Sequence, residues 1–302
     1  MCSATAMMPS LVQVESSMDV KSSTPTATSL HTESPSLEQR VYNHIANFLK
    51  PFTEEEKKIV QRTIYGMGRE ADILARCLNN KTGFVDSVQR ESMHRLQPGK
   101  WLNNEIINFS FATLRLRDAE MVRDYTCSST KKRSHFFKSF FIANLLDEGV
   151  SNRFKYENVK SWSKYVPGGD IFGLDMVFMP VNIGNVHWAC LAIFVQEHRI
   201  QYYDSLGGDG LYYMDAVMEY LKEEWKSKNG GEDLPHQTEW RKARTTIETP
   251  KQQNGFDCGV FTCMFADFLS MGYPLLFTQE HITYCRERIA LSIMQRGAVR
   301  QT

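Results

Sequence analysis

The stretch that most constrains this chain is residues 252–265, where a glycine-containing turn leads into an apolar helix. Apolar residues recur there at helical spacing until Gly272, and Asp257 is the predicted N-cap. Cys258 therefore falls in the first turn, where unpaired backbone N–H groups and the helix dipole favour a negative charge. The sequence predicts a nucleophilic thiol at this position.

The glycines beside this cysteine carry a second expectation. Gly255 and Gly259 are predicted to leave room next to the sulfur for the main chain of a substrate. A free cysteine on its own is more often a small buried hydrophobe. A thiol protease also needs a general base, an acid that orients it and an oxyanion donor, and these must come from elsewhere in the chain.

Two candidates for the base and its orienting acid stand at strand ends. His187 begins the apolar segment 186–195, and Asp204 follows the aromatic segment 200–203. If residues 196–198 close an antiparallel hairpin, both side chains fall at the same end of adjacent strands. Each alone has a plainer explanation, a core histidine and a turn-forming aspartate. Together with Cys258 they predict a nucleophile, base and orienter triad.

The oxyanion donor is less sharply specified. Gln252, six positions before Cys258, can direct its amide N–H to the same side as the Cys258 backbone N–H. Gln253 is adjacent and could serve instead, and the residue pattern alone does not choose between them.

Composition excludes several classes of function. Lys plus Arg and Asp plus Glu number 35 each, so no global field attracts nucleic acid or anionic lipid. The seven cysteines include no C-x-x-C pair of the kind that binds zinc. No signal peptide or transmembrane run is evident. We expect a soluble, intracellular monomer without nucleic-acid or membrane partners, metal ion or organic cofactor.

The chain divides into three predicted parts. Residues 1–36 form a Ser/Thr/Pro-rich tail that is expected to be disordered. Residues 37–68 form a helical N-terminal extension, with one helix over 37–49 and a second introduced by a capping box at Thr53. Residues 69–302 form the main domain.

Periodicity within the main domain predicts an α+β fold. Segment 70–78 is predicted as a short helix, 83–88 as an extended edge and 135–146 as an aromatic-rich helix. Asn103 is the predicted cap of a long helix, and Trp101 before it resembles a core staple from the residues alone. Strands are predicted over 175–181, 186–195 and 200–203, followed by a helix over 214–225.

Four motifs carry a family resemblance that covers about residues 70–296. They closely resemble the SUMO-specific (sentrin-specific) cysteine proteases, and they occupy residues 101–107 (WLNNEII), 186–188 (VHW), 203–208 (YDSLGG) and 252–259 (QQNGFDCG). The resemblance implies a papain-like α+β fold with a central mixed sheet flanked by helices. It also implies the triad order His187, Asp204, Cys258, and it assigns the oxyanion role to Gln252.

The same resemblance implies a way to select the substrate. Trp101 and Trp188 match the tryptophans that roof a narrow tunnel over the substrate's Gly-Gly, which only residues without side chains can thread. Gly259 belongs to the same implied substrate site. This chain carries Asn104 where the family motif usually continues with an aspartate that helps to hold the modifier, so the contact becomes neutral.

The resemblance therefore implies a thiol isopeptidase and endopeptidase that cleaves after the C-terminal Gly-Gly of SUMO, with SUMO and SUMO-conjugated proteins as partners. The alternatives are a protease for a Nedd-type modifier or ubiquitin, and a catalytically silent module that only binds a modifier. The expected location is the nucleus, with the cytoplasm as the alternative.

Overall fold

The structure is a computed structural model that describes residues 48–78, 85–124 and 133–297, together with positions 39, 42, 43 and 46. The predicted tail 1–36 lies outside the described residues, as does most of the predicted first helix over 37–49. In the described ranges the α-helices are α1 Glu54–Tyr65, α2 Arg90–His94, α3 Asn104–Asp124, α4 Phe140–Leu145, α5 Leu211–Lys228, α6 Cys258–Ser270 and α7 Ile282–Arg296. The strands are β1 Ile73–Leu78, β2 Val85–Gln89, β3 Ser134–Phe136, β4 Met176–Ile183, β5 His187–Phe194, β6 Arg199–Tyr203 and β7 Arg241–Ala243.

A mixed five-stranded sheet organises the domain. Its order is β3-β4-β5-β6-β7, with β4, β5 and β6 antiparallel and the two edge strands parallel to their neighbours. Strands β1 and β2 form a separate antiparallel pair. Helices flank the central sheet, so the predicted α+β class is confirmed.

The central sheet separates two hydrophobic cores. Successive side chains of β5 point to opposite faces, with Trp188, Cys190 and Ala192 in the core around α6. Ala189 and Leu191 lie in the core around α5. Strand β5 thus reads as a continuous apolar run because it is buried on both faces.

Helix α1 packs against the same hydrophobic core as α6. The capping box at Thr53 is present, and Val60 and Ile64 are buried in the α6-side core. The second half of the predicted extension 37–68 is therefore continuous with that core.

The prediction of a helix over 70–78 is wrong. Residues 73–78 form β1, in which the buried Ala75 and Cys77 flank the exposed Arg76 and pair with Val88 and Asp86 of β2. Pairing with β2 satisfies the backbone of this segment and overrides its weak helical spacing. The predicted extended segment over 83–88 corresponds to β2.

The predicted helix over 135–146 is half wrong. Its first residues form β3, which adds in parallel to the start of β4, and only the second half is helical, as α4. Three of its four phenylalanines are buried, whereas Phe140 is 47% exposed.

The other elements that the sequence predicted lie in the expected segments. Strands β4, β5 and β6 and helix α5 overlap the predicted segments. The Asn103 side chain caps α3 by accepting a hydrogen bond from the Ile106 N–H at 3.1 Å. None of the helices in the described ranges combines the length and apolarity of a membrane span.

Candidate active site

The candidate nucleophile stands at the tip of a buried helix. Cys258 is the first residue of α6 and is 3% exposed. Its backbone N–H belongs to the first turn, whose N–H groups have no partner within the helix. A substrate carbonyl attacked by this sulfur would meet that N–H.

Asp257 occupies the predicted N-cap position of α6, but its side chain does not cap the helix. It adopts helical dihedrals and its side chain makes no capping hydrogen bond. Its carboxylate instead accepts from Arg286 Nε at 3.1 Å and from Gln279 Nε2 at 2.8 Å. The buried guanidinium is a charged donor and outcompetes the backbone N–H groups for this carboxylate.

Gly259 makes room for a neighbouring segment of the protein. A Cβ built there would lie 2.9 Å from Leu102 Cβ and 3.3 Å from Ile107 Cδ1. The glycine therefore allows α6 to approach the segment that leads into α3. Gly255 is exposed and faces open space.

The predicted hairpin of β5 and β6 is confirmed, and it brings His187 to Asp204. Nε2 of the imidazole lies 2.8 Å from Asp204 Oδ1, and both side chains are largely buried. The backbone N–H groups of Leu206 and Gly208 donate to the same carboxylate at 2.7 and 3.2 Å. Gly208 is needed here, because a Cβ would lie 2.5 Å from Asp204 Oδ2.

These contacts fix the charges of the pair. Burial raises the pKa of Asp204, but the hydrogen bonds from His187 and the backbone outweigh it and bring the pKa below its usual value. For His187, burial acts in the opposite direction and lowers the pKa, but hydrogen bonds and attraction to Asp204 and Cys258 raise it to about 9. Since Nε2 faces Asp204, Nδ1 is the nitrogen left for the Cys258 thiol.

Gln252 and Gln253 differ in how they are held. Gln252 is 8% exposed, and its Oε1 accepts from Ser205 Oγ at 2.6 Å while Nε2 donates to the Asn254 carbonyl. The amide nitrogen carries two hydrogens, so one remains for a further acceptor. Gln253 is exposed, and its backbone N–H donates to Gln279.

The two tryptophans differ in exposure. Trp188 is 6% exposed and donates from Nε1 to the Leu102 carbonyl at 3.0 Å. Trp101 is 45% exposed, so it is not a core staple. Asn104, the first residue of α3, is exposed and accepts from Asn182 Nδ2 at 3.4 Å.

Sequence reasoning missed three supporting residues. Thr245 Oγ1 accepts from the Asp204 backbone N–H at 3.1 Å, Ser205 orients Gln252, and Arg286 binds Asp257. Ser205 lies within the 203–208 motif, and Arg286 follows Ile282 by four residues and precedes Ile289 by three, on the apolar stripe of α7. In the described part of the chain, no cluster of three or more His, Cys, Asp or Glu side chains is arranged to hold a metal ion.

Comparison with known proteins agrees with this geometry. The family described as "Ulp1 protease family, C-terminal catalytic domain" matches residues 100–300. Ubiquitin-like-specific protease 1A of Arabidopsis thaliana is 31% identical over 249 residues, which cover 82% of this chain and 46% of that protein. Sentrin-specific protease 2 of Homo sapiens is 29% identical over 249 residues, which cover 82% of this chain and 38% of that protein.

A solved structure is similar over the same region. The X-ray structure of the C-terminal Ulp1 protease domain in complex with Smt3, the yeast ortholog of SUMO, matches with a TM-score of 0.63 and 27% identity. The match covers 82% of this chain and 98% of that one. The chain spans about half the length of the first of the curated relatives described above. Since the family match covers well over half of its residues, the chain belongs to the Ulp1 protease family.

Proposed function

We propose that the chain is a thiol isopeptidase and endopeptidase that cleaves after the C-terminal Gly-Gly of SUMO, both in precursors and on conjugated lysines. One observation carries the proposal. The His187 imidazole lies 2.8 Å from the Asp204 carboxylate, and it also interacts with the thiol of Cys258 at the tip of α6. Similarity to the Ulp1 domain that binds Smt3 supports SUMO as the modifier.

The geometry supports acylation by nucleophilic catalysis. His187 Nδ1 takes the proton of Cys258, and the sulfur attacks the carbonyl of the last glycine. The oxyanion of the tetrahedral intermediate accepts hydrogen bonds from Gln252 Nε2 and from the Cys258 backbone N–H. The protonated imidazole then gives its proton to the departing amine, the C–N bond breaks, and a thioester remains.

Deacylation uses the same groups in reverse. His187 takes a proton from water, the hydroxide attacks the thioester carbonyl, and the C–S bond breaks. The products are a modifier with a free glycine carboxylate and the regenerated thiol. Asp204 keeps its negative charge throughout and stabilises the imidazolium.

Probes with an electrophile on the C-terminal glycine of SUMO, a Nedd-type modifier or ubiquitin test the proposal. We expect the SUMO probe to label Cys258 fastest, and Cys258→Ala to abolish both labelling and cleavage of a SUMO precursor while binding persists. Faster labelling by the probe of another modifier would show that this modifier, and not SUMO, is the preferred substrate. Labelling by none of them, with binding retained, would leave a silent binding module.

The setting of this activity is also proposed. The expected state is a monomer without nucleic-acid or membrane partners. The expected location is the nucleus, with the cytoplasm as the alternative, and fractionation of cells expressing the tagged full chain measures it.

A further inference from the structure

Arg286 is the most deeply buried cation near the candidate active site. The guanidinium is 2% exposed, and all of its N–H groups are used. Nε and Nη2 donate to Asp257 Oδ1. The remaining hydrogen bonds go to backbone carbonyls, those of Arg95 at 3.0 Å, Gln97 at 3.2 Å, Lys100 at 2.8 Å and Phe256 at 3.4 Å.

These partners belong to two segments that are far apart in the sequence. Asp257 immediately precedes the candidate nucleophile, and Lys100 immediately precedes Trp101. A single planar group therefore holds the turn over 95–100 against the start of α6. A planar fork with five donors can do this, whereas a lysine ammonium has three donors and no fixed plane.

The other neighbour of Trp101 is fixed as well. The Leu102 side chain packs against Gly259, and the Leu102 carbonyl accepts from Trp188 Nε1. Lys100 is thus linked to Asp257 through Arg286, and Leu102 packs directly against Gly259. The Trp101 indole itself is 45% exposed.

We propose that Arg286 is a positioning residue that fixes the Trp101 indole relative to the Cys258 sulfur. We call this indole the Trp101 wall, and its position determines how large a group can reach the thiol. This interpretation of Trp101 rests on the proposed function. The hydrogen bonds of Arg286, which we call the clamp, then keep the tunnel to Cys258 narrow enough for Gly-Gly. Arg286 touches no substrate and acts only through Trp101.

The test compares Arg286→Lys with a matched control that binds the same helix. Arg117 binds Asp267 and the Ser270 hydroxyl near the other end of α6, so Arg117→Lys weakens a second arginine–aspartate pair of the same helix, away from Trp101. Alkylation of Cys258 by iodoacetamide and by the bulkier N-phenylmaleimide is followed by mass spectrometry of its peptide. Cleavage of SUMO precursors that end in Gly-Gly or Ala-Gly is measured alongside.

We expect Arg286→Lys to raise the ratio of bulky to small alkylation and to lower the preference for Gly-Gly over Ala-Gly, each by roughly tenfold. Arg117→Lys should change both by less than about twofold, as an independent site would. In a Trp101→Ala background, Arg286→Lys should add nothing further, because the wall that it positions is gone. A general loss of structure would instead persist in that background.

A second variant covers the case in which Arg286→Lys does not fold. Gly99 has φ of 78°, and a Cβ added there would meet nothing within 4 Å, so Gly99→Ala strains only the turn that holds the Gln97 and Lys100 carbonyls. It should shift both ratios in the same direction. The proposal is overturned if the folded variants keep the wild-type ratios, or if their effect survives in the Trp101→Ala background.

The two readouts separate this proposal from the proposed function. Alkylation uses no modifier, so a chain that cleaves none of the modifiers but shows the altered ratio would refute the function and leave the clamp. Normal cleavage of the Gly-Gly precursor with unchanged ratios in Arg286→Lys would refute the clamp and leave the function.

Discussion

Aromatic rings pack on both sides of the central sheet, but the α6 side adds a buried arginine–aspartate pair. On the α6 side, the buried Asp257–Arg286 pair and the backbone carbonyls around it fix atoms at defined distances. On the α5 side, aromatic rings such as Phe141 and Tyr220 pack edge to face, with centroids 5.0 Å apart. Apolar contact stabilises without fixing direction, whereas charged hydrogen bonds also fix geometry.

Even the buried carboxylate of the α5 side fits this contrast. Glu224 is fully buried and contacts the Tyr156 hydroxyl and Lys228 Nζ, each at 2.9 Å. Lys228 lies one turn further along the same helix, so this group joins few elements. We infer that substitutions on the α6 side mainly reduce catalysis, and that substitutions on the α5 side mainly reduce the free energy of unfolding.

The largest expected effect is that of Gln252→Ala, which removes a proposed oxyanion donor. We expect kcat for a SUMO precursor to fall by about 10²–10³, with the fold intact, because the lost hydrogen bond forms mainly in the transition state. Gln253→Ala is the control, since that side chain is exposed. Equal losses in the two variants would mean that Gln252 has no special role.

The second prediction concerns a substitution that lowers stability and leaves catalysis unchanged. Leu191 is fully buried on the α5 side of β5, and Leu191→Ala should lower the free energy of unfolding by about 2–5 kcal/mol. Urea titration measures this loss. At a temperature where the variant is folded, kcat should match the wild type. A large fall in kcat there would break the contrast between the two sides.

The third prediction concerns His187, which stands where the two sides meet. Its pKa is raised from 6.5 to about 9 in the folded chain, so its stabilising contribution is complete below pH 6.5 and is lost as pH rises to about 9. The contribution is at most about 3 kcal/mol. The difference in unfolding free energy between wild type and His187→Gln should therefore shrink over that interval.

NMR titration of the imidazole gives a sharper version of the same test. Cys258→Ala removes one of the two groups that raise the pKa of His187, so the imidazole should titrate at lower pH in that variant. An unchanged titration curve would show that the thiol and the imidazole do not interact.

The parts of the site that sequence predicted are those encoded locally. A cysteine in the first turn of an apolar helix is visible in one window, and hairpin arithmetic places His187 near Asp204 because side-chain positions repeat along paired strands. Strands β4, β5 and β6 were visible for the same reason, as apolar runs bounded by turns.

The parts that were missed depend on partners outside the segment itself. Segment 73–78 is a strand because β2 pairs with it, and β3 is a strand because β4 lies beside it. The residues of each segment alone do not identify its partner. Asp257 satisfied every local rule for a cap and is bound instead by Arg286, 29 residues later. Three of the carbonyls that Arg286 binds lie 186, 189 and 191 residues before it.

The smallest expected effect belongs to the rim, outside both cores. Asn104 is exposed at the start of α3, and Asn104→Asp restores the charge that the family motif usually carries there. If the modifier presents a cation to this position, KM for a SUMO precursor should fall by about two- to fivefold, and less at high salt. The negative charge at a helix N-terminus should also stabilise the fold by about 0.3–1 kcal/mol.

Asn104→Ala separates these two contributions. It removes the polar contact without adding charge, so it should raise KM slightly and leave the salt dependence unchanged. If Asn104→Asp raises the unfolding free energy while KM stays at the wild-type value in both variants, residue 104 acts only on its own helix. Modifier preference would then depend on surfaces other than the start of α3.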